Sequence, residues 1–446
     1  MNYQPLWAPT PPLDPRQDAA ASRADRHTLI LKLFMICVVL PEGLSLFLGD
    51  FRLPLYRILI IASLGIAVRN ARLKTGRWMS VRIPSDILAL AAGAWMLTAG
   101  VVNDGLAVGL KGAGADALEF TGSYYVFRHL LGPVNSSVEV MKFACLVMIP
   151  VIVLALLDPL TGHLFTHDLI TSLTGYFKPY DFNGESYIRD GLYRAMGSFE
   201  HSILFATACV WFTTIALFTF RFSTLGVGVA LMSLIGIWFS QARGPLMVDV
   251  LGAVLMLYYA VMKRYTFRWR IVGALVAAWI ALVFSFSRSP VSTLVSFGGV
   301  DASAGWYRQA IWATAGPMVL DSPMFGIGSI AGEGWWADNP VLTGPTMDSL
   351  WLVLAFEYGI PCSILVILTT AGAFWTGPLD TASSLTESER RLSVALGIVV
   401  SLSALLGFIV HMWGPPWVLL GVFPAIRANL AEAAIVRDRQ SYRGHE

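Results

Sequence analysis

Leu106-Ala-Val-Gly-Leu-Lys-Gly-Ala-Gly-Ala-Asp-Ala-Leu-Glu-Phe-Thr-Gly-Ser-Tyr-Tyr-Val-Phe-Arg-His-Leu-Leu131 is the stretch on which the topology of this chain turns. It is weakly apolar and carries Lys111, Asp116, Glu119, Arg128 and His129. A membrane crossing needs about 20 mostly apolar residues. Around this stretch, runs of that kind occupy about 28–48, 53–68, 83–102, 136–157, 199–220, 224–240, 245–262, 271–288, 349–372, 392–412 and 415–433. Basic loops stay on the cytoplasmic side, so the richest of them, Arg69, Arg72, Lys74, Arg77 and Arg82, places the N-terminus there too. With the clear runs alone, the next basic cluster, Lys263, Arg264, Arg268 and Arg270, would fall outside. One further crossing between 103 and 134 brings it back in, together with Arg390, Arg391, Arg437, Arg439 and Arg443. Ionisable side chains at membrane depth are costly and face polar interiors, so this span should line an interior path. The expected fold is an all-α, polytopic integral membrane protein of about 12 transmembrane helices.

Composition agrees. Of 446 residues, 56% are hydrophobic and 13% charged, with a mean hydropathy of +0.63, whereas soluble domains carry roughly a quarter charged residues. The 31 basic and 29 acidic residues leave a net charge of +2 with no concentrated basic run, which argues against a nucleic-acid partner and leaves the lipid bilayer as the surroundings. Cys37, Cys145, Cys209 and Cys362 all fall in apolar stretches without metal spacing and read as small buried hydrophobes. Residues 1–27, with Pro9, Pro11, Pro12 and Pro15, read as a disordered cytoplasmic tail and not as a cleaved signal. Residues 28–434 read as a single transmembrane domain, and 435–446 as a cytoplasmic tail. Two long outer loops remain, about 158–198 and 289–347, and loops of that length usually act. Gly305 to Ala315 in the second reads as a short helix lying on the bilayer surface.

The chemistry-bearing residues concentrate at outer boundaries. Arg194 opens Arg-Ala-Met-Gly-Ser-Phe-Glu-His (194–201), Arg243 lies in Ser-Gln-Ala-Arg-Gly-Pro (240–245), and Arg308 lies in the loop helix. A guanidinium is always charged and its planar fork fits phosphate oxygens. Three of them on one outward cavity would clamp a diphosphate; the alternative is arginines snorkelling to headgroups. Glu200 and His201 could serve as a general base or only cap and pair at the next helix, and Asp348 is open to the same two readings. Glu357, placed more than two turns into the span from 349, needs a partner or a function. Trp335 and Trp336, away from a span, could stack on a sugar ring, while Trp306, Trp312 and Trp351 suit an interfacial belt.

Several signals are missing from the sequence. It has no Walker A motif, no His-Glu-x-x-His or paired Cys/His spacing, and no Asp-x-Asp handle for a metal-bound sugar nucleotide. The Gly326-Ile327-Gly328 run follows no strand and does not read as a dinucleotide motif. No internal repeat of the transporter kind is visible. Neither a metal nor a cofactor is expected.

Taken in order, Arg194-Ala-Met-Gly-Ser-Phe-Glu-His201, Ser240-Gln-Ala-Arg-Gly244, Arg308-x-x-x-Trp312 leading to Ser322-Pro-Met-Phe-Gly-Ile-Gly328, Asp348-Ser-Leu-Trp351 and Glu357-Tyr-Gly359 resemble the O-antigen ligase and polymerase superfamily of bacterial inner-membrane proteins. The resemblance covers roughly 190–360. It implies a metal-independent glycosyltransferase with a large periplasmic loop carrying short helices, acting on glycan linked to undecaprenyl diphosphate, with Arg194, Arg243 and Arg308 as its essential outward arginines. Ligases commonly carry a histidine just before the tenth span. This chain has Met347-Asp348-Ser349 there, and so resembles more closely the branch found with exopolysaccharide loci, where the acceptor is another carrier-linked repeat unit. A ligase using lipid A core as acceptor, and a flippase for lipid-linked sugar, are the rival readings; a chain-length regulator or export complex is an open further partner.

Overall fold

The computed structural model describes residues 15–49, 51–73, 83–131, 135–175, 187–287, 290, 293, 302–329, 334–337, 339, 342, 346–372, 374, 379 and 381–443. Lys74, Arg77 and Arg82 of the basic loop lie outside the described residues. The described chain is mostly helical, and six of its helices are long and apolar enough to cross a membrane: Pro84–Leu130, Ser136–Thr161, Ser202–Thr219, Arg243–Val261, Arg268–Phe286 and Pro415–Ser441. This is an all-α membrane protein; among the described residues its strands are confined to two short hairpins, Ser45–Leu48 with Phe51–Pro54 (β1, β2) and Ile188–Arg189 with Leu192–Tyr193 (β3, β4).

Helix α1 spans Pro15–Val39 and therefore starts inside the stretch expected to be a disordered tail. Proline at the first helical position presets φ, and the run Asp18-Ala-Ala-Ala-Ser-Arg23 has high helix propensity. At the other terminus the last helix, Pro415–Arg443, likewise runs through the stretch taken as a tail, held by Arg437, whose guanidinium lies 2.9 Å from Glu389.

Helix α2 is Leu55–Leu73, and the stretch that decides the topology follows it. Helix α3 covers Pro84–Ala117 but leaves helical geometry at Gly105 (φ 78°, ψ 171°), continuing through a π-helical turn, Leu118–Gly122, into α4, Ser123–Leu130. Only glycine enters that region without strain, and there the chain doubles back on itself. Thr121 Oγ1 donates to the Ala89 carbonyl at 2.9 Å, and Tyr124 OH to Asp86 Oδ1 at 2.7 Å. Arg128 grips both oxygens of Asp86 at 2.8 and 3.1 Å and also reaches Glu432 at 2.5 Å. Small residues permit the close approach: a Cβ on Gly93 would sit 2.6 Å from Thr121 Oγ1, and one on Gly109 would collide with the Gly100 carbonyl. The ionisable groups of 106–131 largely find internal partners, Asp116 with Tyr358 OH at 2.6 Å and Glu119 with Arg57 at 2.6 Å, while Lys111 is exposed.

The remaining elements are α5 (Asn135–Thr161), α6 (Phe165–Thr174), α7 (Ser202–Thr219), α8 (Thr224–Ser240), α9 (Arg243–Val261), α10 (Arg268–Phe286), α11 (Ala302–Asp321), α12 (Leu350–Tyr358), α13 (Ile360–Gly372), α14 (Glu387–Leu406) and α15 (Pro415–Arg443). Helix α7, with α14 and α15, forms the centre of the buried core. Cys145, Cys209 and Cys362 are buried in it and all four thiols are free. The bundle has two chemically distinct ends. At one, Arg221 and Arg391 both pair with Glu387, at 2.9 and 2.5 Å, and Arg391, Arg221 and Lys263 hold its carboxyl below the usual range. At the other lie the N-terminus of α7, the C-terminus of α8 and the turn after α14.

The run expected as one span from 349 to 372 is broken at Gly359 (φ 88°) into α12 and α13. Gly359 and the following Pro361 account for the break, and the second outer loop docks into it. Ile327 N–H donates to Phe356 O at 2.7 Å and Ile360 N–H to Pro323 O at 2.8 Å. Asn103, beside the Gly105 turn, donates to the carbonyls of Phe325 and Glu357 at 2.7 and 3.3 Å, and Trp95 stacks on Phe325 at 5.3 Å. A Cβ at Gly326 would stand 2.5 Å from Phe356 O, so this glycine serves close backbone packing.

Candidate functional site

The 194–201 segment is held from several sides. Arg194 N–H donates to Tyr187 O at 2.8 Å and Ala195 N–H to Phe239 O at 3.0 Å, which fastens the segment to the β3–β4 hairpin and to the end of α8. Asp158, fully buried near the end of α5, accepts from Met196 N–H at 3.0 Å, Gly197 N–H at 2.9 Å and Phe165 N–H at 3.0 Å. Gly197 has φ 56°, and a Cβ there would press on Ala155 at 2.9 Å, which explains the glycine.

Arginines gather at the turn between α8 and α9. Arg194 Nε donates to Ser240 O at 2.9 Å, and Arg189 Nη1 to Gln241 O at 2.8 Å. Gln241 takes the left-handed conformation (φ 52°), Ala242 is the N-cap, and Arg243 opens α9. Arg189 and Arg243, with the acidic Asp190, Gln241, Trp238 and Leu246, line a cavity of about 250 Å³. Arg194 and Arg308 are not among the residues lining it, so the three arginines named from the sequence divide into two groups. Arg194 and Arg308 are coupled instead to Asp348. Burial raises the Asp348 carboxyl above its ordinary range, while Arg308 and then Arg194 pull it down. Burial, followed by the like charge of Arg189, lowers Arg194 to about 10, with Asp348 opposing; burial likewise lowers Arg308.

The other residues expected at the site are placed less freely. Glu200 accepts from both terminal nitrogens of Arg52 at 3.1 Å and from the Trp413 indole at 3.2 Å, and Arg52 also reaches Glu42 at 3.4 Å. His201 is the N-cap of α7, its Nδ1 accepting from Ile203 N–H at 3.1 Å. With Nδ1 so used, a neutral ring carries its proton on Nε2. His201→Asn keeps a good capping acceptor, and the expected outcome is a thermal midpoint close to that of the wild type, whereas His201→Ala, which loses the cap, should be less stable by about 1 kcal/mol. Trp335, read as able to stack on a sugar ring, is buried: Gly334 (φ 81°) turns the chain there, and the indole lies against Phe356, at 6.2 Å, in a small core with Ile311 and Ala315 of α11. Trp336 is half-buried beside it. Trp351, assigned to an interfacial belt, is buried with its N–H on Ala404 O at 2.9 Å, and Glu357 sits near the end of α12, two residues before Gly359. The 305–315 helix is present and longer than expected, as α11.

Sequence reasoning passed over Asp158, Arg189, Arg52 and His411. An acid at a helix C-terminus is disfavoured by the dipole, so Asp158 ending a long apolar run was a signal that donors wait nearby. Arg189 carried no comparable signal. His411, in the turn before α15, is pushed down to about 4 by burial and is neutral at physiological pH. Among the described residues, no three His, Cys, Asp or Glu side chains gather as a metal site. No family model matches the chain, and no curated protein matches it at a significant level.

Proposed function

We propose that the chain is a metal-independent glycosyltransferase that joins undecaprenyl-diphosphate-linked oligosaccharide repeat units into exopolysaccharide or O-antigen polymer, at the periplasmic face of the bacterial inner membrane. The observation that carries the reading is the gathering of Arg189, Arg194 and Arg243 about the 240–243 turn, with Asp348 in the field of Arg194 and Arg308. Topology supports it: the arginine-rich turn lies at the end of the bundle opposite the Arg221, Lys263, Arg391 and Arg437 end, which would be cytoplasmic with both termini. The α3–α4 hairpin would supply the 83–102 crossing and the one further crossing that the charge bias requires.

Cleavage of the sugar C1 to diphosphate bond releases negative charge on the leaving oxygen, and fixed guanidinium groups stabilise it where it develops. Asp348 takes the proton of the acceptor hydroxyl as the new C1–O bond forms, and a single displacement inverts C1, by analogy with inverting glycosidases. Glu200, already bound to Arg52, holds the Arg194-bearing segment from its far end.

The test is purified protein in detergent with carrier-linked repeat units: lengthened glycan on the carrier is expected. Movement of lipid-linked sugar between leaflets of a liposome, with no new glycosidic bond, would show a flippase instead. In cells lacking the gene, single repeats identify a polymerase and free unattached polymer a ligase.

A further inference from the structure

We propose that Asp158 is the positioning residue for Arg194, a part no sequence motif assigns to it; the inference rests on the reading of Arg194 as a phosphate-binding group. Asp158 belongs to α5, outside the 194–201 segment, and is fully buried. One of its oxygens takes the amides of Met196 and Gly197 and the other takes the amide of Phe165, at the start of α6. Three backbone donors converge on this one carboxyl group, and a carboxyl so deeply buried is tolerated only when its oxygens are satisfied in this way. Its bonds therefore select the one turn conformation in which both amides converge, with Gly197 at φ 56° pressed against Ala155.

Arg194 lies two residues before the first of these amides. Upstream of that grip its own N–H is on Tyr187 O, Ala195 N–H is on Phe239 O, and its Nε is on Ser240 O. The segment is thus clamped between the α8 end and Asp158, and the guanidinium cannot shift without breaking one or the other. Asparagine is nearly the same shape but has one acceptor oxygen and presents an NH₂ to the remaining amide donors, so Asp158→Asn removes the grip on one side while leaving the volume unchanged. A displacement of about 1 Å at a group acting on the transition state can cost about 100-fold.

The experiment is a double-mutant cycle on detergent-purified full-length protein, using Asp158→Asn, Arg194→Ala and the double variant, with glycan-lengthening rate as the readout and hydrogen exchange of the 195–199 amides beside it. If Asp158 acts through Arg194, Asp158→Asn lowers kcat about 100-fold with KM little changed. The double variant is then within about twofold of Arg194→Ala alone, because a residue already removed cannot be mispositioned. Exchange at Met196 and Gly197 rises while α7 stays protected. Equal losses in both backgrounds, with lowered thermal midpoints, would make Asp158 merely structural and overturn the proposal; so would unchanged exchange at 196 and 197. If wild-type protein lengthens no glycan, the glycosyltransferase reading falls, and the exchange measurement alone still decides whether Asp158 holds the Arg194 turn.

Discussion

Arg243→Ala is expected to abolish glycan lengthening while leaving a folded, membrane-inserted protein. Arg243 opens α9, where the helix dipole disfavours a cation, and its N-cap, Ala242, makes no side-chain capping bond that the change could remove. Arg243 also lines the cavity together with Arg189. Loss of one donor to developing oxyanion charge typically costs about 100- to 1000-fold in kcat, enough to reduce polymer to single repeats in cells. Arg243→Lys separates charge from geometry: an ammonium keeps the charge but cannot make the bidentate contact, so it should recover only a minor part of the rate. Size-exclusion profiles and thermal midpoints matching wild type are expected for both variants. Full lengthening by Arg243→Ala would remove the central element of the proposed chemistry.

The sequence disclosed the class of fold through hydropathy and the ends of the bundle through charge, because both are additive properties of long runs. It also singled out 106–131, where weak apolarity and buried charge are explained by partners on other helices, Arg57, Asp86 and Tyr358. It misplaced what depends on one backbone angle or one distant donor. Gly359 splits an apolar run whose hydropathy is unbroken, and Gly334 turns Trp335 inward onto Phe356. Pro15 and three alanines make a helix where prolines suggested a tail. At the site, Arg194 and Arg243 stood out by their local motifs, but Arg189 joins them only because a two-residue hairpin brings it to the Gln241 carbonyl. The partners of Glu200, Arg52 and Trp413, lie 148 and 213 residues away along the chain, a separation that no local pattern encodes.

On the proposed reading, Asp348→Asn is expected to stop turnover, and the pH dependence of the intact protein carries the finer prediction. A general base works deprotonated, so the rate should fall as pH drops through the Asp348 pKa. Burial raises that pKa above the ordinary carboxylate range, and Arg308 and then Arg194 oppose the rise. Both opposing groups are cationic at neutral pH, Arg194 even with its pKa lowered to about 10. In Arg308→Ala the larger of the opposing charges is gone, so the Asp348 pKa rises further and the acidic limb of the rate profile shifts to higher pH, whatever happens to its amplitude. Arg308→Lys retains a charge and should leave the limb near its wild-type position. The shift and the amplitude are read from a single set of initial rates across pH. A limb that stays put in Arg308→Ala, or turnover by Asp348→Asn near the wild-type rate, would take the proton-accepting role away from Asp348.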